Sequence, residues 1–363
     1  MAEKLTQRQR AKLEAKSKAH LGDRDWYVLR SLLGNDWAMF YFLLGGRELG
    51  KSYSVTKFCL QQFFKYGRPF YWLRLTDTQA KNLLAGNGQG LVDPDLYRKF
   101  KLDLVANKDR VYHVLKRDKK GKVIEKKLMA RVLSLSTFAN QKGVALFDKD
   151  FLDDPKMYYN IILDEFQSEQ GEKRMSVDIT YAFTNMLENL IRSTKKKVRV
   201  FLIGNTLQDA ADLLCAFDFV PEEFGRYHLH KKRCIIDYVE ASDAYYERRK
   251  GTAADILQPN ASTFTNKRDI DTSLIYKGRL QKPTAVIVFN KSVKFTVWDG
   301  NIIKEYHNEK VREIVMRPYL DRPFNVKERD NIMVLFDQRC FLFANLLMSK
   351  SFQKEMQALK PRK

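Results

Sequence analysis

The stretch AMFYFLLGGRELGKSYSV, residues 38–55, decides the fold. Its first seven residues are apolar without a break, the pattern of a strand covered on both faces. Gly45, Gly46, Arg47, Glu48, Leu49, Gly50, Lys51 and Ser52 then satisfy G-x-x-x-x-G-K-[ST] at all four fixed positions. Glycines let such a loop curl until its N–H groups face phosphate oxygens, and the helix that follows adds partial positive charge. On this reading the loop holds ATP, with Lys51 on the β and γ phosphates and Ser52 a ligand of Mg2+.

Working outward, the spacing predicts a helix from Ser52 to Tyr66 closed by Gly67, and PFYWLRL at 69–75 reads as a second buried strand. Strand, glycine loop, helix and strand make a βαβ unit. NIILDEF at 160–166 and VRVFLIGN at 198–205 are two more buried strands. Between them Phe183, Met186, Leu187, Leu190 and Ile191 recur at helical spacing. This alternation implies an α/β fold: a parallel sheet with helices on both faces, in a P-loop NTPase of the additional-strand, catalytic-glutamate (ASCE) type.

Asp164 ends one apolar run and is expected to supply the second contact to Mg2+. Glu165 puts another carboxylate at the same sheet edge, where it can orient or deprotonate the attacking water. Alone, an apolar run ending in Asp-Glu is as often a strand meeting solvent; the P-loop upstream favours the catalytic role. Asn205 ends the next strand at the same edge and either senses the γ-phosphate or holds the water, or else only terminates the strand in a turn. Arg192 lies at the far end of the helix after Glu165, facing away from the chain's own nucleotide. It is a candidate finger for a neighbour's phosphate in a head-to-tail ring. Equally, it opens the basic run Lys195, Lys196, Lys197 and Arg199, and such charge is common at helix C-termini. Arg47 is a further candidate for contact with phosphate or a partner subunit.

The remaining text divides the chain into a basic helical extension at 1–35, the P-loop domain at 36–239, a polar linker at 240–275 and a second domain at 276–363. Within 76–155 VYHVL and VIEKKLMARVLSL flank the turn-like Asp118 to Lys122, which predicts a strand-rich insertion. In the second domain AVIVF, VKFTVW and NIIKEY are separated by turn residues, the grammar of an antiparallel meander, and a long helix over 331–357 is expected to follow.

A net charge of +21, from 65 Lys and Arg against 44 Asp and Glu, accompanies 44% hydrophobic residues. A chain this apolar is not disordered, so the excess points to a polyanionic partner held by phosphate contacts, nucleic acid first of all; a basic solvated surface is the plainer alternative. No run reaches the ~20 apolar residues of a membrane span, and the polar, basic start is unlike a signal peptide, so a cytoplasmic protein with no membrane partner is expected. Cys59, Cys215, Cys234 and Cys340 are too scattered for a zinc pattern or a disulfide framework. His228 and His230 alternate like metal ligands but lack a third donor nearby, and they sit beside Lys231, Lys232 and Arg233 as a surface would.

The combination of GGRELGKSY with its loop arginine, KYG before the second strand, IILDEF, NMLENLIR, VRVFLIGN, the ERRK of 247–250 and FNKSVKFTVWDGNIIKEY resembles the DNA-packaging ATPases of small podophages, the encapsidation proteins of the Picovirinae type. That resemblance implies an ATP-driven translocase pushing double-stranded DNA into a procapsid. It implies a homo-oligomeric, pentameric ring docked at the portal vertex through a packaging RNA, in the host cytoplasm, with Arg192 acting in trans. A non-packaging P-loop translocase or helicase would share the site. A nucleotide-regulated RNA-binding assembly protein would bind ATP without turnover, and Glu165 argues against it. The C-terminal domain looks like a vestigial ribonuclease H-type nuclease. No Asp or Glu occurs from Leu280 to Trp298, so its first two strands offer no metal ligand and no cleavage is expected. Its 18 Lys and Arg against 9 Asp and Glu over 276–363 suit nucleic-acid binding.

Overall fold

The computed structural model describes residues 26–138, 158–167, 178–191, 198–205, 211–221, 223–257, 272–318 and 321–360. The chain forms two units, one of residues 1–207 and 221–268, the other of 208–220 and 269–363.

The first unit is built on nine strands: β1 Phe40–Leu44, β2 Phe70–Arg74, β3 Leu104–Asn107, β4 Arg110–Arg117, β5 Val123–Ser134, β6 Tyr159–Asp164, β7 Val198–Gly204, β8 Gly225–Leu229 and β9 Cys234–Tyr238. Their order in the sheet is β3-β4-β5-β2-β6-β7-β1-β9-β8. From β5 to β9 every neighbouring pair is parallel. The continuous apolar runs explain this, since Phe42, Leu43, Leu44, Ile162, Leu163, Phe201 and Leu202 are fully buried and a parallel sheet is covered on both faces. β7 lies between the loop strand β1 and the acidic strand β6, the interposed strand of the expected fold class. The carboxyl ends of all these strands share one edge, which carries Leu44, Arg74, Asp164 and Gly204.

Helix Lys51–Tyr66 leaves that edge from Gly50, whose φ of 82° is left-handed, and stops at Gly67 (φ 70°), where the Gly67 N–H reaches the Phe63 carbonyl at 2.7 Å. It buries Val55, Cys59, Leu60 and Phe63, one stripe at helical spacing.

The insertion is strand-rich as its text predicts, but its strands extend the main sheet. β5 pairs with β2 in parallel from Phe70 opposite Ala130 to Arg74 opposite Ser134, and β4 and β3 follow antiparallel. Met129, Ala130 and Val132 are buried, while residues 124–127 are exposed, so one half of this long strand is core and the other is not.

The expected extension at 1–35 is too long. Residues 1–25 lie outside the described residues, but Tyr27, Leu29 and Leu32 are core residues of the first unit. The Tyr27 hydroxyl donates to Asp237 at 2.8 Å, and Arg226 pairs with the same wholly buried carboxylate at 3.1 Å. The linker expected at 240–275 also needs correction. Helices Asp243–Arg249 and Ala253–Leu257 belong to the first unit, with Tyr245 fully buried. Polar neighbours hide that anchor in the sequence.

The second unit has five strands, β10 Pro283–Val288, β11 Lys294–Trp298, β12 Ile302–Glu305, β13 Glu313–Val315 and β14 Leu342–Phe343, in the order β13-β10-β11-β12-β14. The first three form the antiparallel meander, and β13 and β14 join its sides in parallel. Phe352 centres the core, with Phe289, Phe295, Phe341 and Phe343 within 5.9 Å between ring centroids. The single helix expected over 331–357 is two, Val326–Asp337 and Leu346–Ala358. Arg339 turns the chain with a left-handed φ of 54°, β14 intervenes, and the Asn345 side chain caps the second helix by accepting from Met348 N–H at 2.9 Å. Helix Asp212–Ala216 belongs to this unit, not to the P-loop domain as the boundary at 239 implied.

Candidate nucleotide site

The loop after β1 turns on three left-handed or glycine-only conformations, Gly45 (φ 149°), Glu48 (φ 61°) and Gly50 (φ 82°). A Cβ on Gly50 would come within 2.7 Å of the Trp26 ring. Leu49 is fully buried and its carbonyl accepts from Tyr27 N–H at 2.7 Å, while the Ser54 hydroxyl donates to the Tyr27 carbonyl. The buried Lys51 ammonium donates to the Gly45 carbonyl at 2.9 Å and the Gly46 carbonyl at 2.6 Å. Burial pulls its pKa down to about 7, against the pull of Asp164.

Ser52, first turn of the helix, donates from Oγ to Asp164 at 3.1 Å. Burial raises the Asp164 carboxyl above its ordinary value, opposed first by Arg74 and then by Ser52 and Lys51. Glu165 follows in a left-handed conformation (φ 57°), which turns the chain between the two carboxylates. Asn205 ends β7 at the same edge, and its carbonyl accepts from Gln167 Nε2 at 3.1 Å. The loop, Ser52, Asp164, Glu165 and Asn205 therefore share one edge. Arg192 lies outside the described residues.

Two groups of residues at this edge escaped the sequence reading. Arg74, the last residue of β2, bridges both carboxylates, at 2.9 Å to Asp164 and 2.6 Å to Glu165. The cue was the charge closing the apolar run FYWL. The second group is the ERRK helix. Tyr245 donates to the Arg47 carbonyl at 2.8 Å, Arg248 donates to the Glu48 carbonyl at 3.1 Å, and Arg249 pairs with the Glu48 carboxylate at 3.4 Å. Arg47 and Glu48 themselves are exposed. His228 and His230 lie at the opposite edge with their rings packed on Trp37, at 5.6 and 4.2 Å. Among the described residues no group of three or more His, Cys, Asp or Glu could hold a metal ion.

Ser52 Oγ and the Asp164 carboxylate are adjacent hard oxygen donors, the set that suits Mg2+ beside a bound triphosphate. The interposed strand, the glycine loop and the lysine facing the acidic strand make this a P-loop nucleoside triphosphatase fold. The model of the Podovirus DNA encapsidation protein (Gp16) family matches residues 23–278, and the chain belongs to that family. It is 23% identical over 262 residues to the DNA packaging protein of Bacillus phage B103, covering 71% of this chain and 73% of that one. To the DNA packaging protein of Bacillus phage phi29 it is 24% identical over 210 residues, 58% of this chain and 55% of the other. Among solved structures, the phi-28 gp11 DNA packaging motor superposes with a TM-score of 0.61 at 15% identity, over 94% of this chain and all of that one. The bacteriophage phi-29 genome packaging motor assembly gives 0.60 at 18%, over 93% and 100%. At these identities the structures speak for the fold.

Proposed function

We propose that this chain is an ATP-driven motor that translocates double-stranded DNA into a viral procapsid. The observation that carries the reading is the meeting of Lys51, Ser52, Asp164 and Glu165 at one sheet edge in a chain of the encapsidation family. Lys51 exchanges the Gly45 and Gly46 carbonyls for phosphate oxygens when nucleotide binds, so the ammonium keeps its hydrogen bonds. Ser52 and Asp164 would hold Mg2+, which would supply charge neutralisation at the phosphates. Glu165 orients and deprotonates the attacking water, and Arg74 holds both carboxylates in place until that geometry forms. Asn205, one strand from Asp164, holds the water or senses the γ-phosphate.

The finer parts of the proposal rest on the resemblance. They are a pentameric homo-oligomeric ring with Arg192 acting on the neighbour's phosphate, a packaging RNA and the portal vertex as docking partners in the host cytoplasm, and a C-terminal unit that binds nucleic acid without cutting it. Among the described residues no helix is long and apolar enough to cross a membrane.

The test is ATP hydrolysis by the purified chain, alone, with double-stranded DNA and with procapsids, beside the Glu165→Gln variant. The motor reading expects hydrolysis stimulated by DNA and procapsids together. In Glu165→Gln it expects nucleotide binding retained and turnover reduced at least 100-fold, the scale of a lost general base. Normal turnover in the variant would remove Glu165 from the mechanism, and turnover indifferent to procapsids would favour a non-packaging translocase.

A further inference from the structure

The hairpin of β4 and β5 continues past the sheet it belongs to. β5 pairs with β2 only from Ala130 onward. Residues Val123 to Met129 therefore run beyond the amino end of β2, by roughly 23 Å at the rise of an extended strand. They leave from the edge opposite Lys51, Asp164 and Glu165. The arm reads Leu115-Lys116-Arg117-Asp118-Lys119-Lys120-Gly121-Lys122-Val123-Ile124.

Its tip is built rather than loose. The Asp118 carboxylate accepts from the backbone N–H groups of Lys120 and Lys122 at 2.9 and 2.8 Å, and Asp118 N–H donates to the Lys122 carbonyl at 2.9 Å. Arg117 forks onto Asp103 at 2.6 and 2.7 Å and donates to the Gly121 carbonyl at 2.9 Å. Asp103 and Asp118 are thus engaged by Arg117 and by backbone, and Glu125 is the one acid of the arm's strands, opposite Lys116 across the hairpin. Lys116, Lys119, Lys120 and Lys122 are exposed, and none is in an ion pair among the described residues. Leu115 and Ile124 are 51% and 58% exposed, so the arm carries little apolar burial of its own. At the arm's base Lys126 lies 4.3 Å over the Tyr112 ring, and Phe64 stacks on Phe100 at 5.5 Å. Lys231 and Lys232, just before β9, are exposed at this same amino-terminal edge.

We propose that the Lys116–Lys122 arm grips the phosphate backbone of a nucleic-acid duplex. Four unpaired ammonium groups on a turn already fixed by its own hydrogen bonds match a row of phosphates, and the rigid turn keeps the ordering cost of binding low. Such contacts position a duplex without reading its sequence. The ATP edge and the gripping arm lie at opposite ends of the same parallel strands, so bound duplex leaves the nucleotide site open. The choice of nucleic acid as ligand rests on the packaging reading; the binding itself does not depend on ATP hydrolysis.

The experiment compares the full chain with a variant carrying Lys116→Ala, Lys119→Ala, Lys120→Ala and Lys122→Ala, and with one carrying Arg at the same four positions. Fluorescence anisotropy follows binding to a labelled DNA duplex and an RNA duplex of the same sequence. Loss of four phosphate contacts flattens the dependence of log affinity on log salt by about 3.6 for DNA. Between about 50 and 200 mM salt, the wild type then loses up to about 150-fold more affinity than the alanine variant. The arginine variant keeps the wild-type slope. Loss confined to one duplex names that duplex as the ligand. Equal affinity and slope for wild type and alanine variant on both duplexes overturns the proposal, as does an equal loss in the arginine variant. Hydrolysis without nucleic acid is unchanged in both variants, and its absence in the wild type would count against the ATPase reading alone.

Discussion

Binding of ATP is expected to take up a proton at Lys51. The ammonium is buried against two loop carbonyls, and desolvation draws its pKa from the ordinary 10.5 to about 7. A triphosphate beside it restores the charged form. The free lysine is then about 10% neutral at pH 6 and about 90% neutral at pH 8, so binding takes up about 0.1 protons at the lower pH and about 0.9 at the higher. The linked cost to affinity is about tenfold between those two values. At pH 8 phosphate groups are already ionised and contribute little to the count. The sign for stability follows from the same shift. Between about 7 and 10.5 the unfolded chain holds a proton that the folded chain does not. The stability attributable to Lys51 is therefore full above that window and is lost as pH falls through it. Isothermal titration calorimetry of Mg·ATP in two buffers of different ionisation enthalpy gives the proton count at each pH. No uptake at pH 8, or the same uptake at pH 6, would refute the reasoning.

Replacing Arg74 by Ala leaves the buried Asp164 without its nearest cation. A loss of about 3 kcal/mol is expected, at the low end for a broken buried pair because Glu165 is half exposed. Thermal unfolding should then fall by about 6–12 °C, with millimolar Mg2+ restoring part of it, and an unchanged midpoint would show that Arg74 does not hold the pair. Arg226→Ala leaves the wholly buried Asp237 with the Tyr27 hydroxyl but without its paired guanidinium and should cost about 3–5 kcal/mol in urea unfolding, more than Arg226→Lys does. The chain should not nick a plasmid with Mn2+, since two-metal cleavage needs carboxylates that β10 and β11 lack; nicking abolished by mutating an acid of the second unit would reverse that.

What was legible in the sequence follows from where the constraint is local. The parallel sheet could be anticipated because four strands buried on both faces must be nearly apolar throughout, and the loop because only glycines, a lysine and a hydroxyl serve a phosphate. Arg74 was not legible as a site residue because its partners lie on β6, which is its neighbour only after the sheet has formed. Tyr245 was hidden for a related reason: it is a single anchor in polar text, and a single anchor has no periodicity, whereas Tyr27, Leu29 and Leu32 were masked by the basic text that precedes them. The break at Arg339 was missed because nothing there is a glycine or proline, and the turn uses a left-handed arginine instead. The insertion showed its strands but not their place, since pairing partners are decided across the sheet.

The hydrogen bond from Tyr245 to the Arg47 carbonyl joins residues 198 positions apart. The phosphate loop is therefore completed late in synthesis. At the ribosome's pace of roughly 5–20 residues per second, about 10–40 s pass between the emergence of the loop and that of the helix that braces it. During that interval β1 also waits for β7 and β9, its partners on either side. A nascent chain should thus be unable to hold nucleotide until nearly all of the first unit has been made, which keeps incomplete chains from engaging ATP.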